Sequence, residues 1–316
     1  MSPSTPHTAR RPLRGFLYAL GAAALWASSA TAAKYLFDPS LPPLALAQTR
    51  SLVGFVVLFP FLLVVRPAQL RLRGRDLPFL ALVGLNFVLL HGTYYAAIAR
   101  MPVAVAILVQ DLAPLLILGW VRLTGRRPVA RSLWLAALLC LCGCALVAGV
   151  VGSAPTVSGT GLLIGLASAG AYASYILVAE RGAHRFPPGT LLCYGLGFAA
   201  LFWGVPRPWW NFPLAALNTA TLSAVFLIGV GGTLLPFALL SAALRYIPAG
   251  PAGIATTAEP VIAALLAYRC LGERLALSQV AGGVVVMAGI LLAQRASQGL
   301  HARAPDETAS NSATPP

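Results

Sequence analysis

The chain alternates between long apolar runs and short polar connectors. Ten runs lie at about 15–36, 42–65, 77–98, 102–122, 132–151, 160–180, 189–206, 220–245, 249–269 and 276–295. About 20 apolar residues make a helix long enough to cross the hydrocarbon core of a bilayer. The pattern therefore predicts an all-α integral membrane protein of ten transmembrane helices. Most connectors carry Pro, Gly or Arg, the residues that punctuate helices or sit among headgroups. The ends, 1–14 and 297–316, are polar and rich in Ser, Thr, Ala and Pro. They read as disordered tails.

The runs fall into two sets of five. At an offset of 146 residues Pro102 maps to Pro248, Pro114 to Pro260, Trp26 to Tyr172, Ser28 to Ser174, Gly15 to Gly161 and Gly143 to Gly289. Gly84 finds its mate in Gly229 after a slip of one residue. An odd number of spans per half sends the second half into the membrane upside down. The expectation is two inverted five-helix repeats, 15–151 and 160–296, an arrangement typical of secondary transporters with a substrate site near the midplane. SATAA (29–33) loosely resembles a signal-peptide cleavage site. Because span one is built like span six, the expectation is a retained helix.

Composition sharpens this picture. The chain is 58% hydrophobic and only 9% charged, against about 25% charged in a soluble domain. With a mean hydropathy of +0.80, its solvent is lipid, which excludes an ordinary water-soluble enzyme. The net charge of +14 is spread as short clusters between apolar runs, so nucleic acid is not an expected partner. If the N-terminus is cytoplasmic, 16 arginines fall on the inner side and 4 on the outer. That bias places both termini inside by the positive-inside rule. PRPWWNFP (206–213) then lies outside, where its tryptophans suit the interfacial belt.

An ionisable group at the bilayer centre costs on the order of 2.5–3.5 kcal/mol, so each such group is a candidate. AILVQDLAPLLIL (106–118) places Gln110 and Asp111 just ahead of Pro114 inside an apolar run. Pro114 has no N–H for the carbonyl of Gln110. The expected result is a kinked, partly unsatisfied turn lining a cavity. Asp111 would bind a substrate ammonium or carry a proton; otherwise it partners another polar side chain. Glu259 stands directly before Pro260, which frees the carbonyl of Thr256 in the same way; substrate contact and a conformational or packing role stay open. His91 suits proton coupling, a hydrogen bond to substrate, or an interhelix contact. Trp26 and Tyr172, central aromatics away from the interfacial belts, either line the cavity or pack. Tyr95, beside Tyr94, either lines it or sits at the interface. Arg50 is read as a carboxylate clamp, a partner for Asp111, or a group that snorkels outward. For Lys34, near a helix end, snorkelling is expected. Cys140, Cys142 and Cys144, with Cys193 and Cys270, read as small packing residues. No metal site and no cofactor is expected.

Two segments carry a family resemblance. RMPVAVAILVQDLAPLLILGWVRLTGRRP (100–128) and YIPAGPAGIATTAEPVIAALLAYRCLGERL (246–275) end the two halves. The second closely resembles the EamA repeat of the drug/metabolite transporter superfamily, through Glu259-Pro260 and Gly272-Glu273. GAYASYILVAER (170–181) resembles that family's sixth helix. GRRP (125–128), in place of a first-half glycine-glutamate, resembles the amino-acid exporter branch, which includes threonine/homoserine exporters. The resemblance spans about 15–296. It implies ten helices, cytoplasmic termini in a bacterial inner membrane, and export of small metabolites.

Other classes fit less well. A phosphate loop needs GxxxxGK[ST], and the sole lysine is Lys34. No HExxH is present, and GLASAG (165–170) is one residue too long for a GxSxG elbow. The expected function is alternating-access export of small metabolites, foremost amino acids, with protons as a candidate coupling ion. The alternatives are an intramembrane enzyme and a lipid- or drug-translocating protein. The oligomeric state is not legible.

Overall fold

A computed structural model describes residues 6–36, 42–125, 128–150, 158–213, 218–272 and 275–310. Helix stands in every predicted run: α1 (Pro6–Leu36), α2 (Pro43–Val65), α3 (Leu77–Ile98), α4 (Val103–Gln110) with α5 (Ala113–Leu123), and α6 (Arg131–Val147), then α7 (Gly159–Arg185), α8 (Pro188–Phe202), α9 (Thr219–Gly229) with α10 (Leu235–Ala243), α11 (Ala249–Thr256) with α12 (Glu259–Leu271), and α13 (Leu277–Ser310). Seven helical stretches among the described residues are long and apolar enough to cross a membrane. The chain is a multi-pass membrane protein. Two predicted runs come out short: α6 has 17 residues and α8 has 15. Gly149, in the left-handed region at φ +67°, follows the end of α6. Pro206 and Pro208 follow the end of α8 and cannot continue a helix.

Both polar ends differ from expectation. Helix begins at Pro6 and runs on to Ser310, into both segments read as tails. Ala, Arg and Gln in these stretches are good helix formers, and a membrane helix provides the costly first turns.

Three predicted crossings are interrupted. The α4–α5 helix stops at Gln110 and resumes at Ala113. The Leu112 N–H turns back to the carbonyl of Val109 at 3.2 Å. Its mate breaks at the matching place: α11 ends at Thr256, α12 starts at Glu259, and the Thr257 N–H bonds the carbonyl of Ile254 at 3.2 Å. The prolines are the cause in both, since neither supplies the N–H that would bridge the gap. The third interruption is a π-helical turn, Val230–Leu234, between α9 and α10. Gly272 ends α12 in the left-handed conformation at φ +67°; Glu273 lies outside the described residues, as do Arg126 and Arg127.

Burial in lipid gives no hydrophobic drive between helices, so close backbone approach must hold the bundle. The α6–α13 contact is built this way. A Cβ on Gly143 would lie 2.7 Å from the carbonyl oxygen of Gly282, and one on Gly282 would lie 2.6 Å from that of Gly143. Gly84 meets Ala199 while Gly229 meets Val53, so the slipped glycine pair makes equivalent contacts in the two halves. At the arginine-rich end, Arg185 closes an ion pair with Asp76 and lies over the Phe79 and Phe186 rings.

Candidate functional site

The two proline breaks bring the acids together. Asp111 caps the C-terminus of α4 and Glu259 opens α12. The two carboxyl groups lie within electrostatic reach of each other and of the Tyr94 and Tyr172 hydroxyls. Oδ2 of Asp111 is buried and accepts no hydrogen bond. The Cys144 thiol, from α6, lies against the Asp111 carboxyl and donates to the carbonyl of Thr257 at 3.6 Å. One small side chain thus touches both breaks, a role the packing assignment did not foresee.

Aromatic rings wall one side. Trp26 and Tyr172 meet edge to face, centroids 6.3 Å apart at 81°. Trp26 also packs on Phe237 at 5.1 Å and 72°. The Tyr172 hydroxyl donates to Oγ1 of Thr256 at 3.2 Å, and that hydroxyl donates to the carbonyl of Gly253 at 2.8 Å. Gln110 reaches across to α7, its Nε2 donating to Oγ of Ser168 at 2.6 Å. Asp111, Glu259, Gln110, Tyr172 and Trp26 therefore share one neighbourhood.

Arg50 and His91 stand beside it, toward the other end of the bundle. Arg50 is buried and does not snorkel. Nor does it pair with Asp111. Its Nε donates to Oγ1 of Thr233 at 2.7 Å, one terminal nitrogen donates to the Tyr95 hydroxyl at 2.8 Å, and the other donates to the carbonyl of Gly232. A π turn leaves carbonyls out of regular register, and here a guanidinium occupies one. Tyr95 is buried under Arg50 with Tyr94 edge-on at 5.5 Å. Glu259 and His91 both lie within electrostatic reach of Arg50. His91 is held in an aromatic cluster. It stacks on Phe87, with Phe237 edge-on at 5.7 Å, and its Nδ1 bonds the Phe87 carbonyl at 3.0 Å. A carbonyl only accepts, so Nδ1 carries the proton.

Phe87, Phe237, Thr233 and Ser168 escaped the reading from sequence, which named Thr256 for its carbonyl and not for its hydroxyl. A lone Phe, Thr or Ser in an apolar run looks like packing. For Thr233, the double glycine of VGGTL (230–234) was the one available sign. The Lys34 side chain is not among those described.

Comparison with known proteins gives a consistent picture. The model of the EamA-like transporter family matches residues 13–149 and again 159–294. An uncharacterized transporter of Archaeoglobus fulgidus is 32% identical over 249 residues, 77% of this chain and 86% of that one. The threonine/homoserine exporter RhtA of Salmonella typhimurium is 25% identical over 253 residues, 78% of this chain and 80% of its own. A solved crystal structure shares the fold with a TM-score of 0.74, at 21% identity, covering 90% of this chain and 98% of its own.

Proposed function

The chain belongs to the EamA-like transporter family, and from that premise we propose that it is a secondary transporter exporting amino acids or similar zwitterionic metabolites by alternating access. The observation that carries this reading is the meeting of two proline-broken helices, one from each family match, at Asp111 and Glu259. Broken helices at mid-depth are how transporters expose polar backbone to a cavity without exposing it to lipid. Asp111 or Glu259 engages an ammonium or a proton. Arg50 or His91 engages a carboxylate, and Trp26, Tyr172 and Tyr95 pack on the rest of the substrate. For Arg50 this requires exchange of its contacts at Thr233, Gly232 and Tyr95. The similarity to threonine/homoserine exporters supports the substrate class.

The remaining architecture follows from the same reading. Ten crossings form two inverted halves, 15–151 and 160–296, with both termini at the arginine-rich, cytoplasmic face of a bacterial inner membrane. With α1, the short α6 and α8 complete the count, because bilayers thin around short spans. The protein is a carrier and not an enzyme.

The test is efflux from proteoliposomes preloaded with a labelled amino-acid panel, with and without an imposed pH gradient. Selective, saturable efflux that responds to the gradient supports a proton-coupled exporter. Selective efflux insensitive to it means facilitated diffusion. No efflux of any amino acid sinks the substrate class.

A further inference from the structure

A cavity of about 330 Å³ lies at the arginine-rich end, between the ends of α5, α7 and α11. None of the candidate site residues lines it. Leu118, Trp120, Val121 and Leu177 stand in its apolar wall, and the C-terminal end of α7 brings Arg181 and His184 to it. We infer that this cavity binds an anionic phospholipid, with the phosphate on Arg181 and His184 and part of one acyl chain in the apolar interior. The site needs only the membrane location of the chain, so it stands or falls separately from the transporter reading.

The cavity borders the bilayer. Leu116, Trp120 and Leu123 are spaced i, i+4 and i+7, so they share one face of α5. They are 45%, 48% and 86% exposed, and on a membrane protein such an apolar face meets lipid. Trp120 belongs to this face and to the cavity wall at once. An indole there suits the headgroup boundary, where tryptophan is enriched. Toward the centre of the protein the way is closed. Ile117 and Ile176 are fully buried against Gly253, where an added Cβ would lie 3.2 Å from Ile117. An occupant therefore comes from the lipid side or from the arginine-rich face.

The order of groups along α7 fits a lipid. Leu177, Arg181 and His184 are spaced i, i+4 and i+7 on one helix face, with the apolar residue innermost and the donors toward the helix end. Arg181 and His184 are exposed and make no hydrogen bond or ion pair among the described residues. Arg185, the next cation, is committed to Asp76. Glu180 also stands in the wall, but it has an interaction partner within the protein already and meets no ligand in this arrangement. A guanidinium fork binds two phosphate oxygens at once, and a histidine ring donates an N–H whether neutral or charged. Basic pockets between membrane helices are sites for anionic headgroups. A soluble phosphate would leave the apolar wall unfilled, whereas an acyl chain fills it. That chain would touch both halves, since α5 lies in the first family match and α7 and α11 in the second.

The experiment is native mass spectrometry of the full chain in detergent, titrated with phosphatidylglycerol or with phosphatidylcholine of the same acyl chains. The wild type binds phosphatidylglycerol at least about tenfold more tightly, as one charge-assisted contact allows. Arg181→Gln/His184→Gln loses that preference. Val121→Trp fills the apolar part, leaves both cations and weakens both lipids. Arg66→Gln, an exposed arginine at the same end but outside the cavity, behaves as the wild type. Phosphatidylglycerol raises the Tm of the wild type and of Arg66→Gln, and not of the cavity variants. An unchanged preference in Arg181→Gln/His184→Gln overturns the site. An equal loss in Arg66→Gln also overturns it, in favour of a generally basic surface. Displacement of the lipid by equimolar glycerol phosphate overturns the lipid assignment and leaves a soluble-anion site. Should Val121→Trp fail to fold, the headgroup variant decides alone, because its changes are at exposed positions. No amino-acid efflux is read, so each result leaves the transporter reading where it stood.

Discussion

Cys140 and Val286 are 146 positions apart in sequence and in contact in the structure, the thiol donating to the carbonyl oxygen at 3.6 Å. The separation is the repeat offset. A residue touches its own mate only near a pseudo-two-fold axis, so the axis passes through the α6–α13 contact. Trp26 and Tyr172 are a second mate pair in contact, and they border the candidate site. The two helix breaks lie near this axis, which is why one thiol, Cys144, reaches both.

The backbone contact along that axis makes the first prediction. Gly143→Val places a side chain where the Gly282 carbonyl now lies 2.7 Å from a bare Cβ position. Backbone on both sides leaves no flexible atom to yield. Overpacking costs typically 1–3 kcal/mol, and the expected result is a clearly lowered Tm in detergent. Gly283→Ala is the control, because its Cβ meets only a Val261 side chain at 3.3 Å. Equal melting of the two variants would contradict the close-packed axis.

Arg50 joins α2 to α3 and to the π turn through three hydrogen bonds. A lysine keeps the charge but loses the fork. Arg50→Lys leaves the Thr233 hydroxyl or the Gly232 carbonyl with one fewer donor, at a cost of about 1–3 kcal/mol for a buried group. Tyr95→Phe removes one partner only and is milder. Since the two residues touch, the double variant is less destabilised than the sum of the singles, by about 0.5–3 kcal/mol. Additive melting shifts would show that the Arg50–Tyr95 bond carries no coupling.

The prolines set the breaks, and removing them tests what the breaks are for. Pro114→Ala and Pro260→Ala restore an N–H where the helix lacks one. A proline inside a helix costs about 3 kcal/mol, so each variant is expected to keep or raise its Tm. Healing the helix gives the carbonyls of Gln110 and Thr256 partners within the helix, and under the proposed function efflux is expected to fall at least about tenfold, a barrier change near 1.4 kcal/mol. Hydrogen exchange at 111–112 and 257–258 slows in parallel. Unchanged efflux in both variants argues that the breaks are structural only.

Much of this was legible in the sequence, for physical reasons that can be named. Apolar runs long enough to span a bilayer are the strongest signal a chain can carry, and they located the helices. Proline acts on backbone hydrogen bonding wherever it stands, so Pro114 and Pro260 announced both breaks. The repeat paired Trp26 with Tyr172 before any contact between them was visible. What failed was direction. Arg50 had three plausible destinations, and the one it takes depends on a π turn that no propensity encodes. The ends failed for another reason: polar composition argues against a packed core, but it does not prevent a helix from running on past the bilayer.

The last prediction concerns the two acids. Asp111 has one buried oxygen without a hydrogen bond, and its carboxyl acts electrostatically on Glu259. A buried acceptor left without a partner is costly, which is tolerable where a ligand or a proton supplies one during the cycle. Asp111→Asn keeps the shape and removes the charge. Loss of one charged hydrogen bond to substrate is worth about 1.5–3 kcal/mol, so the apparent affinity for any amino acid that the efflux assay finds transported is expected to fall about 10- to 100-fold. Asp111→Glu retains the charge and is expected to recover part of it. Glu259→Gln separates the possible roles of the pair. If Glu259 engages the substrate, its loss weakens binding as Asp111→Asn does. If it serves the conformational change, counterflow slows while equilibrium binding holds. Full transport by Asp111→Asn at every pH would remove its charge from the mechanism and leave the broken helices to act through shape alone.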